Sequence, residues 1–207
     1  MEHSEALAQL CEADPVLAAL IRKNPTFDRR AWMKGLPKMD AFGALVFQVI
    51  GQQLSIPATR SILDRLQELF NGKLPTPNEL LAASREDLRK TGMSQRKIET
   101  LRTVAQRFAD GRWKEEEFKT LSDQEIEKLL TTVSGIGPWT VHGFLIIALG
   151  REDVVLAGDL AIRKAIPKIY EMDHLPSEAE VLQLTERWRP WRSLATGYLF
   201  QFAYGSQ

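Results

Sequence analysis

The tightest constraint in the sequence is a short turn, Gly135-Ile136-Gly137-Pro138, set between two apolar stretches. Glycine tolerates positive φ, so Gly135 and Gly137 permit a reversal too tight for a residue bearing a Cβ. Pro138 has no N–H to donate and suits the first turn of the helix that follows. Two helices joined in this way make a helical hairpin, expected here over about residues 122–149. The exposed backbone N–H groups of such a turn form an anion site that needs no basic side chain.

A loop over about residues 151–160 leads from the hairpin to an isolated carboxylate. Gly158 punctuates that loop, and Asp159 precedes a run with helical spacing: Leu160, Ile162, Ala165, Ile166. Asp is a preferred N-cap, worth about 1 kcal/mol. The same N–H donors and the helix dipole favour the ionised side chain, so a capping Asp is also a poised one. A structural cap and a chemical group are compatible readings of Asp159, and the residues alone leave both open.

The rest of the chain reads as helices separated by Pro and Gly breaks. Residues 4–33 give two short helices and a third turn, broken at Asp14-Pro15 and Asn24-Pro25, with Pro37 closing the segment. Residues 40–52 are apolar almost all round, the pattern of a buried central helix. Ser55 is placed to cap a helix to Phe70 with Ile56, Thr59, Ile62, Leu63, Leu66 and Leu69 on one face. Pro75 and Pro77 mark a loop. Ser84, Ser94 and Ser122 each open a helix, with a capping-box-like pattern at Ser84-Arg85-Glu86-Asp87. Pro167 and Pro176 bound a loop, and 177–188 and 190–204 form the last two helices. Alternating strand patterns and internal repeats are missing, so the expected fold class is all-α. At 207 residues, one large domain or two closely packed lobes is expected.

Charge narrows the partners. Lys plus Arg (27) balances Asp plus Glu (27), so any nucleic-acid binding must come from local placement rather than bulk charge. Residues 85–107 carry seven Lys/Arg against three acids, and residues 115–127 carry six acids and one Lys. Such runs serve equally as solvated helix faces or, for Arg96 and Lys97, as phosphate contacts at a helix start. Cys11 is the single cysteine, which excludes an internal disulfide and a four-cysteine iron–sulfur cluster. His3, His142 and His174 lack metal-ligand spacing. The sequence has neither a bilayer-spanning apolar run nor a signal-peptide core, which points to an intracellular protein, in a bacterial cytoplasm or a nucleus.

Three stretches together carry a family resemblance: Ile50-Gly51-Gln52-Gln53-Leu54-Ser55, Gly135-Ile136-Gly137-Pro138-Trp139-Thr140 and Trp188-Arg189-Pro190-Trp191-Arg192-Ser193. With Gly158-Asp159 about twenty residues past the hairpin, the chain resembles the helix-hairpin-helix DNA glycosylases, and within them those acting on 3-methyladenine and other alkylated bases. The resemblance spans about residues 40–204. It implies a compact fold of two helical lobes around a central cleft, forming one domain over 1–207 without the N-terminal β domain of some relatives. It implies that the protein works as a monomer on double-stranded DNA containing a damaged base, and that no cofactor is required.

By the same resemblance Asp159 is the catalytic carboxylate. Gly135 and Gly137 clamp the DNA backbone, Gln53 beside Leu54 is the wedge, and Trp139 with Phe200 lines the base pocket. The carbonyls of Thr131, Val133 and Ile136 would hold a structural Na⁺ or K⁺. Read without it, Gln53 is a polar helix terminus, Trp139 a core residue, and Trp188 and Trp191 are structural. Gly143 and Leu160 stand where relatives can place a further aromatic, which implies a wider or less aromatic pocket. Trp139 also stands where lyase-type relatives carry the lysine that forms a Schiff base. A non-catalytic DNA-binding module, a bifunctional glycosylase/lyase and a glycosylase for another lesion remain the alternatives.

Overall fold

Most helices of this chain begin at a short polar side chain that takes up the first free N–H groups. In the structure, a computed structural model describing residues 2–25, 27, 37 and 39–204, Asp14, Asp40, Ser55, Thr76, Ser84, Ser94, Ser122, Asp159 and Ser177 all act as N-caps. Each such cap is worth about 1 kcal/mol and sets where its helix starts. Among the described residues there are thirteen α-helices, one 3-10 turn and no strand, so the all-α expectation holds. No helix among them is long and apolar enough to cross a membrane. The third turn expected near residues 27–33 falls mostly outside the described residues.

The chain divides into two units. Residues 37–150 form one; residues 1–36 and 151–207 form the other. The contiguous unit holds α3 (Ala41–Gly51), α4 (Ile56–Leu69), α5 (Pro77–Ala82), α6 (Arg85–Lys90), α7 (Gln95–Ala109), α8 (Glu115–Thr120), α9 (Asp123–Leu130) and α10 (Pro138–Ile147). As its all-round apolar pattern requires, α3 is buried along nearly its whole length and packs on α4, α7 and α10. Phe42, Phe108, Trp113, Phe118 and Phe144 form a chain of mostly edge-to-face ring contacts that ties α3, α7, α8 and α10 together. On α4 the buried face is narrower than the sequence pattern: Thr59, Ile62, Leu63 and Leu66 are buried, whereas Ile56 and Leu69 are exposed.

The discontinuous unit holds α1 (Glu2–Ala13), α2 (Pro15–Lys23), α11 (Leu160–Tyr170), α12 (Glu178–Thr185), a 3-10 turn (Glu186–Trp188) and α13 (Arg192–Tyr204). Its largely apolar core contains a buried carboxylate. Asp14 is fully buried, and its Oδ1 accepts from the N–H groups of Val16 and Leu17 at 3.0 Å each. Its Oδ2 accepts from the Tyr170 hydroxyl at 2.8 Å and the Trp188 indole N–H at 2.9 Å. Burial, followed by the bond to Asp14, pushes the Tyr170 phenol well above its ordinary pKa. One carboxylate thus joins the start of α2, the end of α11 and the 3-10 turn.

Four local expectations need correction. The Pro75–Pro77 segment is not all loop, because Pro77 sits in the first turn of α5, behind a Thr76–Glu79 capping box. The acidic run 115–127 contains α8, whose first-turn glutamates complement the helix dipole and whose Phe118 is buried. Pro167 does not end its helix. α11 runs on to Tyr170, whose anchor on Asp14 holds the last turn, and stops at left-handed Glu171. Ser84 caps α6, but its Asp87 accepts from the Ser84 hydroxyl rather than the backbone N–H, so the box is incomplete.

Asp14→Ala should destabilise the protein by about 3–5 kcal/mol in urea unfolding, since it strips a cap and leaves two buried donors unpaired. A loss no larger than that of a surface cap would refute a central role for this carboxylate.

Candidate functional site

The hairpin turn follows from one strained position and one open one. α9 ends at Leu130, Thr131 forms its C-cap, and α10 begins at Pro138. Gly135 has φ +95°, and a Cβ there would lie 2.2 Å from Thr100 Oγ1. That hydroxyl donates to the Ser134 carbonyl at 2.9 Å, so only glycine fits against α7. Gly137 differs: its φ is −114°, and a Cβ added there would meet nothing within 4 Å. The expectation that both glycines serve the reversal is therefore corrected; only Gly135 does. Gly137 instead leaves open space over the N-terminus of α10, which has no side-chain cap. The N–H groups of Gly135 and Gly137 meet no acceptor among the described residues and remain available to an outside anion.

Of the three carbonyls named for an alkali ion, that of Val133 accepts the Ile136 N–H at 3.0 Å. Those of Thr131 and Ile136 accept no hydrogen bond among the described residues. Three hard oxygen donors with lone pairs to spare fit the chemistry of such an ion.

The turn after α3 lies beside the hairpin. Gln52 Nε2 donates to the Gly135 carbonyl and to Thr140 Oγ1, both at 2.8 Å. Gln53 is exposed and left-handed, with φ +58°, and Leu54 is 40% exposed. Arg96 is exposed on the first turn of α7, as a phosphate contact must be. Lys97 is not placed like Arg96: its ammonium donates to the carbonyls of Ile50 at 2.7 Å and Gln52 at 2.9 Å. It is partly buried, and burial lowers its pKa.

Trp139 is half-buried on the first turn of α10. One turn on, a Cβ at Gly143 would fall 2.4 Å from Oε1 of Gln48, whose residue is only 4% exposed. Any side chain at this position would therefore meet the Gln48 amide, so glycine is required against α3.

In the other unit, Asp159 Oδ1 accepts from the N–H groups of Ala161 at 2.8 Å and Ile162 at 3.1 Å, and the residue is 9% exposed. The cap reading is realised, and it fixes the carboxylate's position. The preceding Val154-Val155-Leu156-Ala157 is buried, and the Asp159 N–H donates back to Leu156. The Trp-Arg-Ser end of the third motif holds the start of this loop. Ser193 Oγ donates to the Arg151 carbonyl and accepts from the Val154 N–H, while the Ser193 N–H donates to Glu152. Arg192 donates to the Asp153 carboxylate at 2.6 Å and to its carbonyl at 2.7 Å. Arg189 joins the same carboxylate.

Leu160, beside Asp159, is 52% exposed. Phe200 is half-buried and stacks on Tyr204, with ring centroids 6.0 Å apart. Sequence reasoning missed Tyr204. Its phenol is held above the ordinary pKa by burial and then by the negative charge of Asp159, which places it in the carboxylate's surroundings. The signal available was its spacing, one turn beyond Phe200 on the same face. Among the described residues no cluster of His, Cys, Asp or Glu could hold a metal ion.

A glycine hairpin with free N–H groups and a capped carboxylate some twenty residues beyond it belong to one class, and the chain is a member of it: residues 46–190 match the HhH-GPD superfamily of base excision DNA repair proteins. A relative named DNA-3-methyladenine glycosylase 1, from Schizosaccharomyces pombe, is 34% identical over 170 residues, covering 81% of this chain and 75% of its own. A solved structure of an S. pombe 3-methyladenine DNA glycosylase in complex with abasic DNA superposes with a TM-score of 0.86 at 32% identity, covering 95% of each chain. The 3-methyladenine DNA-glycosylase of Archaeoglobus fulgidus gives a TM-score of 0.81 at 28% identity, over 97% of this chain and 69% of that one.

Gly137→Val should leave the melting temperature within a few degrees of wild type while weakening DNA binding on every sequence about tenfold or more, through blocked approach to phosphate. Gly135→Val should instead destabilise the fold, by strain at positive φ and collision with Thr100. Thermal melts and a binding titration separate the two. Equal stability losses would show that Gly137 is a structural glycine after all.

Proposed function

We propose that this chain is a monofunctional DNA glycosylase of base excision repair that hydrolyses the N-glycosidic bond of alkylated purines, of the 3-methyladenine and 7-methylguanine type, in duplex DNA. The observation that carries this reading is Asp159. Its carboxylate is fixed by two backbone N–H groups at a helix start, in a chain whose relatives include a named DNA-3-methyladenine glycosylase at 34% identity.

Breaking the bond leaves positive charge on the sugar ring at C1′. A preplaced carboxylate stabilises that charge without reorganising as the reaction proceeds. The base departs with the bonding electrons. Water adds to C1′, giving up a proton to Asp159. An alkylated purine is already electron-poor, so its departure needs little acid assistance, and its weak pairing lowers the cost of extrusion.

In this reading Gly135 and Gly137 hold the backbone through N–H groups, and Arg96 adds a side-chain phosphate contact. Gln53 and Leu54 fill the gap left by the extruded base, and Trp139 and Phe200 are the aromatic candidates for stacking on it. The carbonyls of Thr131, Val133 and Ile136 would hold a structural Na⁺ or K⁺ at the turn. The partner is double-stranded DNA with a damaged base, and the protein acts inside the cell as a monomer.

Water, not an amine, is the nucleophile. Trp139 follows the turn where an imine-forming lysine would stand, and the sequence has no lysine between Lys128 and Lys164. Lys164 lies five positions past Asp159 on α11, about 140° around the helix from it.

Asp159→Asn keeps a good capping residue and removes the charge. It should retain the fold and DNA affinity while lowering single-turnover excision by roughly a thousandfold. Excision near the wild-type rate would reassign the chain as a binding module or move the chemistry to another carboxylate. With damaged duplex, wild-type protein should produce no strand break until alkali is added, and borohydride should trap no protein–DNA adduct. A trapped adduct would mean lyase chemistry.

A further inference from the structure

Two turns of the 37–150 unit are bound to each other and to a single helix. Lys97, in the first turn of α7, donates to the carbonyls of Ile50 and Gln52 at 2.7 and 2.9 Å. Thr100, three residues on, donates to the Ser134 carbonyl at 2.9 Å. Gln52 closes the triangle, its Nε2 donating to the Gly135 carbonyl and Thr140 Oγ1 at 2.8 Å each.

The end of α3 is closed from outside its own helix. The last carbonyls of a helix have no partners within it and are commonly met by water or by a left-handed glycine just beyond the end. At the end of α3 the donor comes from a helix 47 positions away in the sequence. Downstream, Ser55 caps α4, and its carbonyl accepts the Thr59 hydroxyl at 3.0 Å. The chain is therefore held at Gln52 and again at Ser55, and only Gln53 and Leu54 project between, both exposed. Gln53 is also left-handed at φ +58°. A residue with a Cβ stays in that region only where its surroundings over-determine it. The bonds at Gln52 and Ser55 are those surroundings.

We propose that Lys97 and Gln52 are positioning residues for base extrusion. They lock the turn of Gln53 and Leu54 to the hairpin, so that the wedge enters the duplex at a fixed offset from the phosphates held by Gly135 and Gly137. Lys97 then works through Gln53 rather than as a phosphate ligand: two of its three ammonium protons already lie on carbonyls. The inference rests on the reading of Gln53 and Leu54 as the wedge.

The test compares wild type with Lys97→Met, Gln52→Leu and, as reference, Gln53→Ala. One readout is the fluorescence of 2-aminopurine beside an abasic-site analogue in duplex DNA, which rises when the neighbouring base is unstacked and needs no excision. The other is single-turnover excision of 3-methyladenine or 7-methylguanine from duplex and from single strands. Lys97→Met and Gln52→Leu should each lose most of the fluorescence rise and slow duplex excision about ten- to a hundredfold, as misplacement by about 1 Å does elsewhere. Single-strand excision should fall far less, and combining either variant with Gln53→Ala should add little. Gln52→Leu removes no charge, so it decides the matter if Lys97→Met does not fold.

Equal losses on both substrates, or a retained fluorescence rise, would overturn the inference. So would a salt dependence of binding reduced by about one unit in Lys97→Met, which marks a phosphate ligand. Wild-type protein that raises the fluorescence but excises nothing would sink the glycosylase reading and leave this inference standing.

Discussion

The hydroxyl of Thr100 under the hairpin turn is the interaction on which the contiguous unit is organised. It satisfies the Ser134 carbonyl, and its closeness to Gly135 is what forbids a side chain there. With that contact made, Ser134 and Gly135 are carried by a helix that also packs on the buried α3. The turn sits on a core element, so its free N–H groups are aimed by packing across the fold as well as by local sequence. Backbone donors cost nothing in net charge, which is why a chain with equal numbers of acids and bases can belong to a DNA-repair family.

The same economy governs Asp159. Its cap bonds fix it at a helix start, and the loop before it is held from below by buried apolar residues and from the side by Arg192 and Ser193. A carboxylate so held does not have to reorganise as charge develops, which is where most of the benefit of a preorganised site lies. The Trp-Arg-Pro-Trp-Arg-Ser motif, which reads as merely structural, is thus the brace of the candidate catalytic loop.

What the sequence reveals follows from how local each cause is. Caps, turn glycines and the all-round apolar α3 depend on neighbours within a few residues, so they are legible. Pro167 misleads because what keeps its helix going is Tyr170 on Asp14, 156 positions away. α5 and α8 escape notice because a Pro and an acidic run are ambiguous until Leu80 and Phe118 are seen buried. For the candidate site, Asp159, Gly135 and Gly137 stand out by spacing. The true engagement of Lys97 and the amide of Gln48 over Gly143 do not, since both depend on side chains meeting across the fold.

The division of the chain also has a consequence for its synthesis. Residues 37–150 are contiguous, whereas the unit containing Asp159 needs residues near both ends, joined through Asp14 to Trp188 across 174 positions. On a ribosome the contiguous unit can close its core while the C-terminal segment is still being made. Until Tyr170 and Trp188 emerge, the carboxylate of Asp14 has no indole or phenol to meet. The nascent chain can therefore complete its hairpin before it completes the surroundings of Asp159.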